Sequence, residues 1–125
     1  MKVRIQTNLL RFRLTQNEVK RLLADGLVES AIRFPIGREL CFCVASLPSA
    51  AEVSVDYLDD SIFVSLPGRV VSEWAGSEQV SIEGHRDSGV AILVEKDFQC
   101  LHKSEDRDPD AYPNPLASVK RRPAA

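Results

Sequence analysis

The residues most able to do chemistry gather near the C-terminus, in "KDFQCLHKSEDRDPDAYPNP" (96–115), where a cysteine and a histidine stand two apart and acidic residues follow. If the strand before them continues, Cys100 and His102 share a face about 6.5–7 Å apart, close enough to touch one zinc ion. Tetrahedral zinc takes three or four protein ligands, so His85 or an aspartate of 106–110 would have to complete the set. The same two side chains could form a thiol–imidazole nucleophile pair, given a lowered thiol pKa and a third group to orient the histidine. A calcium loop is excluded by its own spacing. With Asp106, Asp108 and Asp110 at positions one, three and five, the glycine position holds Ala111 and the bidentate glutamate position holds Ala117. No phosphate-binding loop, serine-hydrolase elbow or zinc-protease helix motif occurs. The chain is therefore expected to work without a cofactor or resident metal, as a binding protein rather than an enzyme.

Two other groups carry recognition chemistry. Arg4, Arg11 and Arg13 alternate with apolar residues and should share the polar face of one hairpin, with Lys20 on the helix that follows. Guanidinium groups match phosphate and carboxylate oxygens with a two-pronged fork, so this strip could contact an anion. Otherwise it is a solvated sheet face, paired with Glu29 or with the acidic second half. Cys41 and Cys43 also share a strand face and could hold a soft metal, but small apolar residues fill the matching slots later in the chain, so a core position is expected. Trp74 is expected in the core, and His85 in a solvated turn.

The elements that must position these residues come twice. "VRIQTNLLRFRLTQNEVKRLLADGLVES" and "VSVDYLDDSIFVSLPGRVVSEWAGSEQVSI" place apolar residues alike. Val3 matches Val53 and Ile5 matches Val55. Two extra residues are allowed at Asp59-Asp60, after which Leu10 matches Ile62, Phe12 Val64, Leu14 Leu66, Val19 Val71, Leu22 Trp74, Leu23 Ala75 and Val28 Val80. Each copy reads as strand, strand, short helix, strand, strand. Thr15 and Glu18 have capping-box spacing and Gly26 can end the first helix; Pro67 stands in the place of Thr15. "LCFCV" and "VAILV" are apolar on both faces and should be central strands. The expected fold class is α+β: a mostly antiparallel β barrel or sandwich of two diverged repeats (about 1–46 and 51–97) with two short helices. Residues 98–125 are expected to be an extended arm or disordered tail, which could recognise a partner through Tyr112 and Leu116.

At 125 residues the chain suits one domain. Its N-terminus, broken by arginines, lacks the apolar stretch of a signal peptide, and three cysteines are an odd count. A cytoplasmic protein with reduced thiols is expected. Charge is uneven: residues 1–50 hold eight Lys/Arg against four Asp/Glu, and residues 51–98 hold three against ten. That argues against a nucleic-acid footprint over the whole surface but allows a one-sided one.

Two resemblances follow. "IFVSLP", "GRVVSEWA", "GSEQVSI" and "VAILVEKD" resemble the parts of a swapped-hairpin module of the AbrB/MazE type, and "QTNLLRFRLTQNEVKRLLADGLVES" is similar to another form of it, with Thr15 for the proline and no glycine before Asn8. That resemblance implies a DNA-binding regulator or antitoxin acting through Arg4, Arg11, Arg13 and Lys20; the second copy has Ser54, Phe63, Ser65 and Ser72 instead. The whole chain resembles a group of small uncharacterised bacterial proteins that begin like "MKVRIQTNLLRFRLTQNEV" and carry "LVEKDFQCLH" before an acidic, proline-rich end. The leading expectation is a non-enzymatic binding or regulatory module, monomeric or homodimeric, whose partner is a protein or a small anionic ligand.

Overall fold

A computed structural model describes residues 1–84, 89–98, 110–113 and 115. The fold is α+β, with eight strands and two helices among the described residues. In chain order these are β1 (Lys2–Gln6), β2 (Leu9–Leu14), α1 (Gln16–Asp25), β3 (Leu27–Arg33), β4 (Glu39–Leu47), β5 (Ser54–Leu58), β6 (Ser61–Pro67), α2 (Gly68–Ala75), β7 (Ser81–Glu83) and β8 (Ala91–Lys96). They form two four-stranded sheets, ordered β1-β2-β8-β7 and β3-β4-β6-β5. Each sheet joins two antiparallel hairpins, and the hairpins meet through a parallel pair, β2 with β8 and β4 with β6. Of the barrel or sandwich expected from the sequence, no closed barrel is formed, and the two sheets are mixed. Alternation of apolar residues fixes which face a strand buries, but not which strand lies beside it. The two doubly apolar strands, β4 and β8, are interior to their sheets, as expected.

Each sheet draws one hairpin from residues 1–47 and one from residues 54–96. The first takes β1–β2 and β7–β8; the second takes β3–β4 and β5–β6. Helices α1 and α2 are the connections that cross from one sheet to the other. Thr15 closes a complete capping box on α1: its hydroxyl accepts from the Glu18 N–H, and the Glu18 carboxylate accepts from the Thr15 N–H at 2.9 Å. Gly26 ends the helix at φ 79°, a left-handed conformation that costs glycine little. Pro67 opens α2 at φ −60° without a side-chain cap.

One apolar cluster unites both sheets and both helices. It includes Phe12, Leu14 and Val94 from the first sheet, Val44, Val64 and Leu66 from the second, and Leu22, Val71 and Trp74 from the helices. Trp74 is wholly buried, as expected, and its indole N–H donates to the Val80 carbonyl at 2.9 Å. Leu23, expected in the α1 stripe, is instead half exposed.

The registers correct the matching of the two stretches. Val3 lies opposite Phe12, while Val55 lies opposite Val64, so Val55 rather than Val53 holds the place of Val3. Both hairpins have two-residue turns, Thr7-Asn8 and Asp59-Asp60, so nothing is inserted. Asp59 and Asp60 both take positive φ, as a type I′ hairpin turn requires. Later, Val28 lies opposite Val44 and Ile82 opposite Val94. Ile82 is buried and Val80 is half exposed, so Ile82 takes the place assigned to Val80. Each error is a shift of two residues, which leaves the alternation of faces unchanged.

Two outcomes test this packing. Trp74→Ala should lower unfolding free energy by about 3–5 kcal/mol in urea denaturation, through the cavity it leaves, since the Val80 carbonyl keeps the Lys96 N–H at 3.1 Å. Burial pushes the Glu18 carboxyl up, but hydrogen bonds from the N-terminal ammonium, the Thr15 N–H and the Thr15 hydroxyl, with the ammonium's charge, hold it below its ordinary value of 4.5. A carboxyl lowered on folding stabilises above its unfolded pKa, and that contribution disappears as pH falls through the folded value. Melting temperature should therefore drop as pH falls below 4.5, and Glu18→Gln should reduce the size of that drop.

Candidate functional site: the charged face of the first sheet

Strand alternation turns Leu10, Phe12 and Leu14 into the core and leaves Leu9, Arg11 and Arg13 on the other face of β2. The ladders carry this parity across the sheet. Lys2 lies opposite Arg13, and Arg4 opposite Arg11, on the edge strand β1. On the other side the parallel register sets Arg11 beside Leu93 and Arg13 beside Glu95. Beyond these, Glu83 lies opposite Leu93 and Ser81 opposite Glu95. The sequence thus brings three of the expected site residues, Arg4, Arg11 and Arg13, onto one face.

Glu95 organises that face. Its Oε1 accepts from Arg11 Nε at 2.7 Å and from Arg13 Nε at 2.8 Å. Both bonds are charge-assisted and short. Glu95 is only 8% exposed, although it lies on the face away from the core and pairs with two arginines there. The arginine side chains remain 24% and 35% exposed against 11% for that of Glu95, so the carboxylate is the more buried partner. Lys2 Nζ meets the Asp97 carboxylate at 3.0 Å at one end of the same face.

The alternative expectation for these arginines was pairing with Glu29 or with the acidic second half. The second holds, through Glu95. Glu29 lies on β3 in the other sheet, where its carboxylate accepts from the Cys43 thiol at 3.8 Å. Sequence reading did not single out Glu95 or Lys2. Lys2 has the parity of Arg4 and was legible. Glu95 depends on the β2–β8 parallel register, which no local pattern announces.

The other expected site residues fall elsewhere. Lys20 is exposed on α1, and among the described residues no hydrogen bond or ion pair joins it to the arginines. Cys41 and Cys43 do not lie in the apolar cluster. They share the outer face of the second sheet, opposite in parity to Phe42 and Val44, with Cys43 buried and Cys41 half-buried. Burial pushes the Cys43 thiol up from its ordinary 9.0, and the negative charge of Glu29 pushes it the same way, so it is a protonated donor at neutral pH. Tyr112 is almost fully exposed at 97%. His85, Cys100, His102 and Leu116 lie outside the described residues. Among the described residues no group of three or more metal-ligating side chains converges, and no helix is long and apolar enough to cross a membrane.

Fold and face together define a small α+β domain of two mixed sheets, one bearing an arginine pair clamped by a single buried carboxylate. The chain belongs to DUF7009, a family of unknown function whose model matches residues 1–116. No curated protein and no solved structure matches it.

The clamp makes a ranking testable. Glu95→Gln should cost about 1–3 kcal/mol in urea denaturation, because two adjacent guanidinium groups lose their shared anion. Arg11→Gln should cost less, because the carboxylate keeps Arg13.

Proposed function

We propose that this protein is a non-enzymatic binding module whose first sheet recognises an anionic group carried by a protein or a small ligand. The observation that carries the reading is the cross-strand pair Arg4–Arg11. Like charges directly opposite one another on a sheet are unfavourable, and an anion between them relieves the repulsion. Among the described residues this pair has one carboxylate in contact, Glu95, which Arg13 also uses. Arg4 makes no hydrogen bond or ion pair among the described residues and is exposed on an edge strand. A guanidinium group already fixed through Nε loses little freedom when its outer edge meets a ligand, so the Glu95 clamp favours Arg11 as an anion contact.

A second reading, DNA binding by a swapped-hairpin regulator, is favoured by the way each sheet combines a hairpin from either half of the chain. The same exchange supports reading the chain as an internal duplication. Against symmetric DNA contact, the second sheet has Asp56 opposite Phe63, where the first has Arg4 opposite Arg11.

Titration calorimetry at low ionic strength with inorganic phosphate, an oligoglutamate peptide and duplex DNA separates these readings. The binding-module reading expects phosphate or the peptide to bind, and Arg4→Glu to weaken binding about tenfold, equivalent to about 1.4 kcal/mol. DNA binding expects retention on the duplex that falls steeply with salt and disappears in Arg11→Ala/Arg13→Ala. Absence of binding to all three probes would refute both.

A further inference from the structure

Among the described residues the two sheets leave four edge strands, and they are protected unequally. β7 has three residues. β1 has five and carries Lys2 and Arg4; β5 has five with Asp56 at its centre. Short length and like charge are the usual means of keeping an edge from pairing with another chain. β3 is the longest of the four, with seven residues, six of them exposed. Its outer-face charges are of opposite sign, Glu29 and Arg33, and sit four residues apart. Ile32 and Phe34 at its end are each half exposed.

The direction of the free amides follows from the bonds at either end of the β3–β4 hairpin. Ser46 N–H donates to the Gly26 carbonyl, and Phe34 N–H donates to the Arg38 carbonyl. Bonded positions alternate in an antiparallel pair, so residues 28, 30 and 32 turn their backbone groups towards β4. Residues 27, 29, 31 and 33 turn theirs outward, along the open edge.

We propose that β3 pairs antiparallel with β3 of a second copy of this chain, about a two-fold axis at Ala31. Among registers that join outward-facing groups, centring on Glu29 would oppose two glutamates. Centring on Ser30 would set Glu29 against Ala31. Centring on Ala31 sets Glu29 directly opposite Arg33 of the other copy, twice, with only methyl groups at the axis. Residues so opposed are about 5.5 Å apart at Cα, within reach of an ion pair. Arg33 already donates through Nε to Glu39 at 3.1 Å, so its guanidinium would lie between two carboxylates. The ladder ends where Pro35 of one copy meets Leu27 of the other, because proline has no N–H to donate. On the inner face the register brings Phe34 over Val28 and Ile32 over Ser30 of the other copy, covering the two exposed apolar side chains. The two sheets become one eight-stranded sheet, and the first-sheet arginine faces remain open on both copies.

The charge pattern supplies its own test, with mass read by sedimentation equilibrium at about 0.1 mM, a concentration suited to a small edge interface. Wild type should have twice the chain mass. Glu29→Arg alone and Arg33→Glu alone should each be monomeric, because each opposes like charges. An equimolar mixture of the two variants should return to twice the chain mass, since both ion pairs re-form between unlike chains. The double variant E29R/R33E should also dimerise. Far-UV circular dichroism matching wild type confirms that each variant folds, and re-association of the mixture shows it independently. A monomeric wild type, variants that stay dimeric, or a mixture that stays monomeric would overturn the proposal.

Discussion

The parallel pairing of β2 with β8 and of β4 with β6 is the constraint on which the rest of the molecule depends. These four strands carry most of the wholly buried residues: Phe12 lies beside Val94, and Val44 beside Val64. Neither hairpin of a sheet could bury its apolar face alone, since an isolated two-stranded hairpin is marginal in water. Each hairpin is completed by one from the other half of the chain. The helices then have little freedom in placement, because each must bridge the two sheets. Leu22, Val71 and Trp74 fill the space where the sheets' apolar faces meet the helices.

The charged face is a consequence of that pairing. The β2–β8 register sets Glu95 beside Arg13, and the stagger of a parallel ladder lets one carboxylate oxygen reach Arg11 as well. A shift of two residues would keep the same faces in the core yet take the carboxylate from its place beside Arg13. The burial of Phe12 and Val94 fixes the face; the ion pairs and the close fit of neighbouring side chains select among registers that share it.

Dependence on long-range register also decides what could be read from the sequence. Local signals were sufficient for α1: Thr15, Glu18 and Gly26 mark its ends through contacts within a few residues. They were sufficient for the central positions of β4 and β8, because strands apolar on both faces have no polar side to expose. They failed for Val53 and Val80, since a two-residue shift preserves parity and each true partner, Val55 or Ile82, is equally apolar. For Cys43 they gave burial but not its place, which is the outer face of its sheet rather than the main apolar cluster. They failed for closure, because whether β1 meets β7, or β3 meets β5, depends on long-range placement that no local pattern encodes. Of the candidate site, Arg4, Arg11 and Arg13 were legible as a strip from period two alone. Glu95, which turns the strip into a clamp, lies more than eighty residues away in the chain and could be found only from the long-range register.

The two sheets share a frame but not a surface, and the difference is concentrated on their outer faces. In the first sheet Arg11 and Arg13 lie beside Leu93 and Glu95; in the second, Phe63 and Ser65 lie beside Cys43 and Ala45. The corresponding core positions stay apolar in both, with Phe12 and Val94 answered by Val64 and Val44. Packing alone accounts for the second arrangement: Ser65, Cys43 and Ala45 are small and nearly covered. It does not account for the first, in which a carboxylate is buried and two guanidinium groups are held over it. A buried ion cluster gives up solvation that small apolar side chains would not have needed to give up. The backbone tolerates the apolar version, since the second sheet contains it. The charged version instead adds register selection to packing, and it leaves the side chains of Arg4 and Arg11 reaching the surface beside a buried carboxylate.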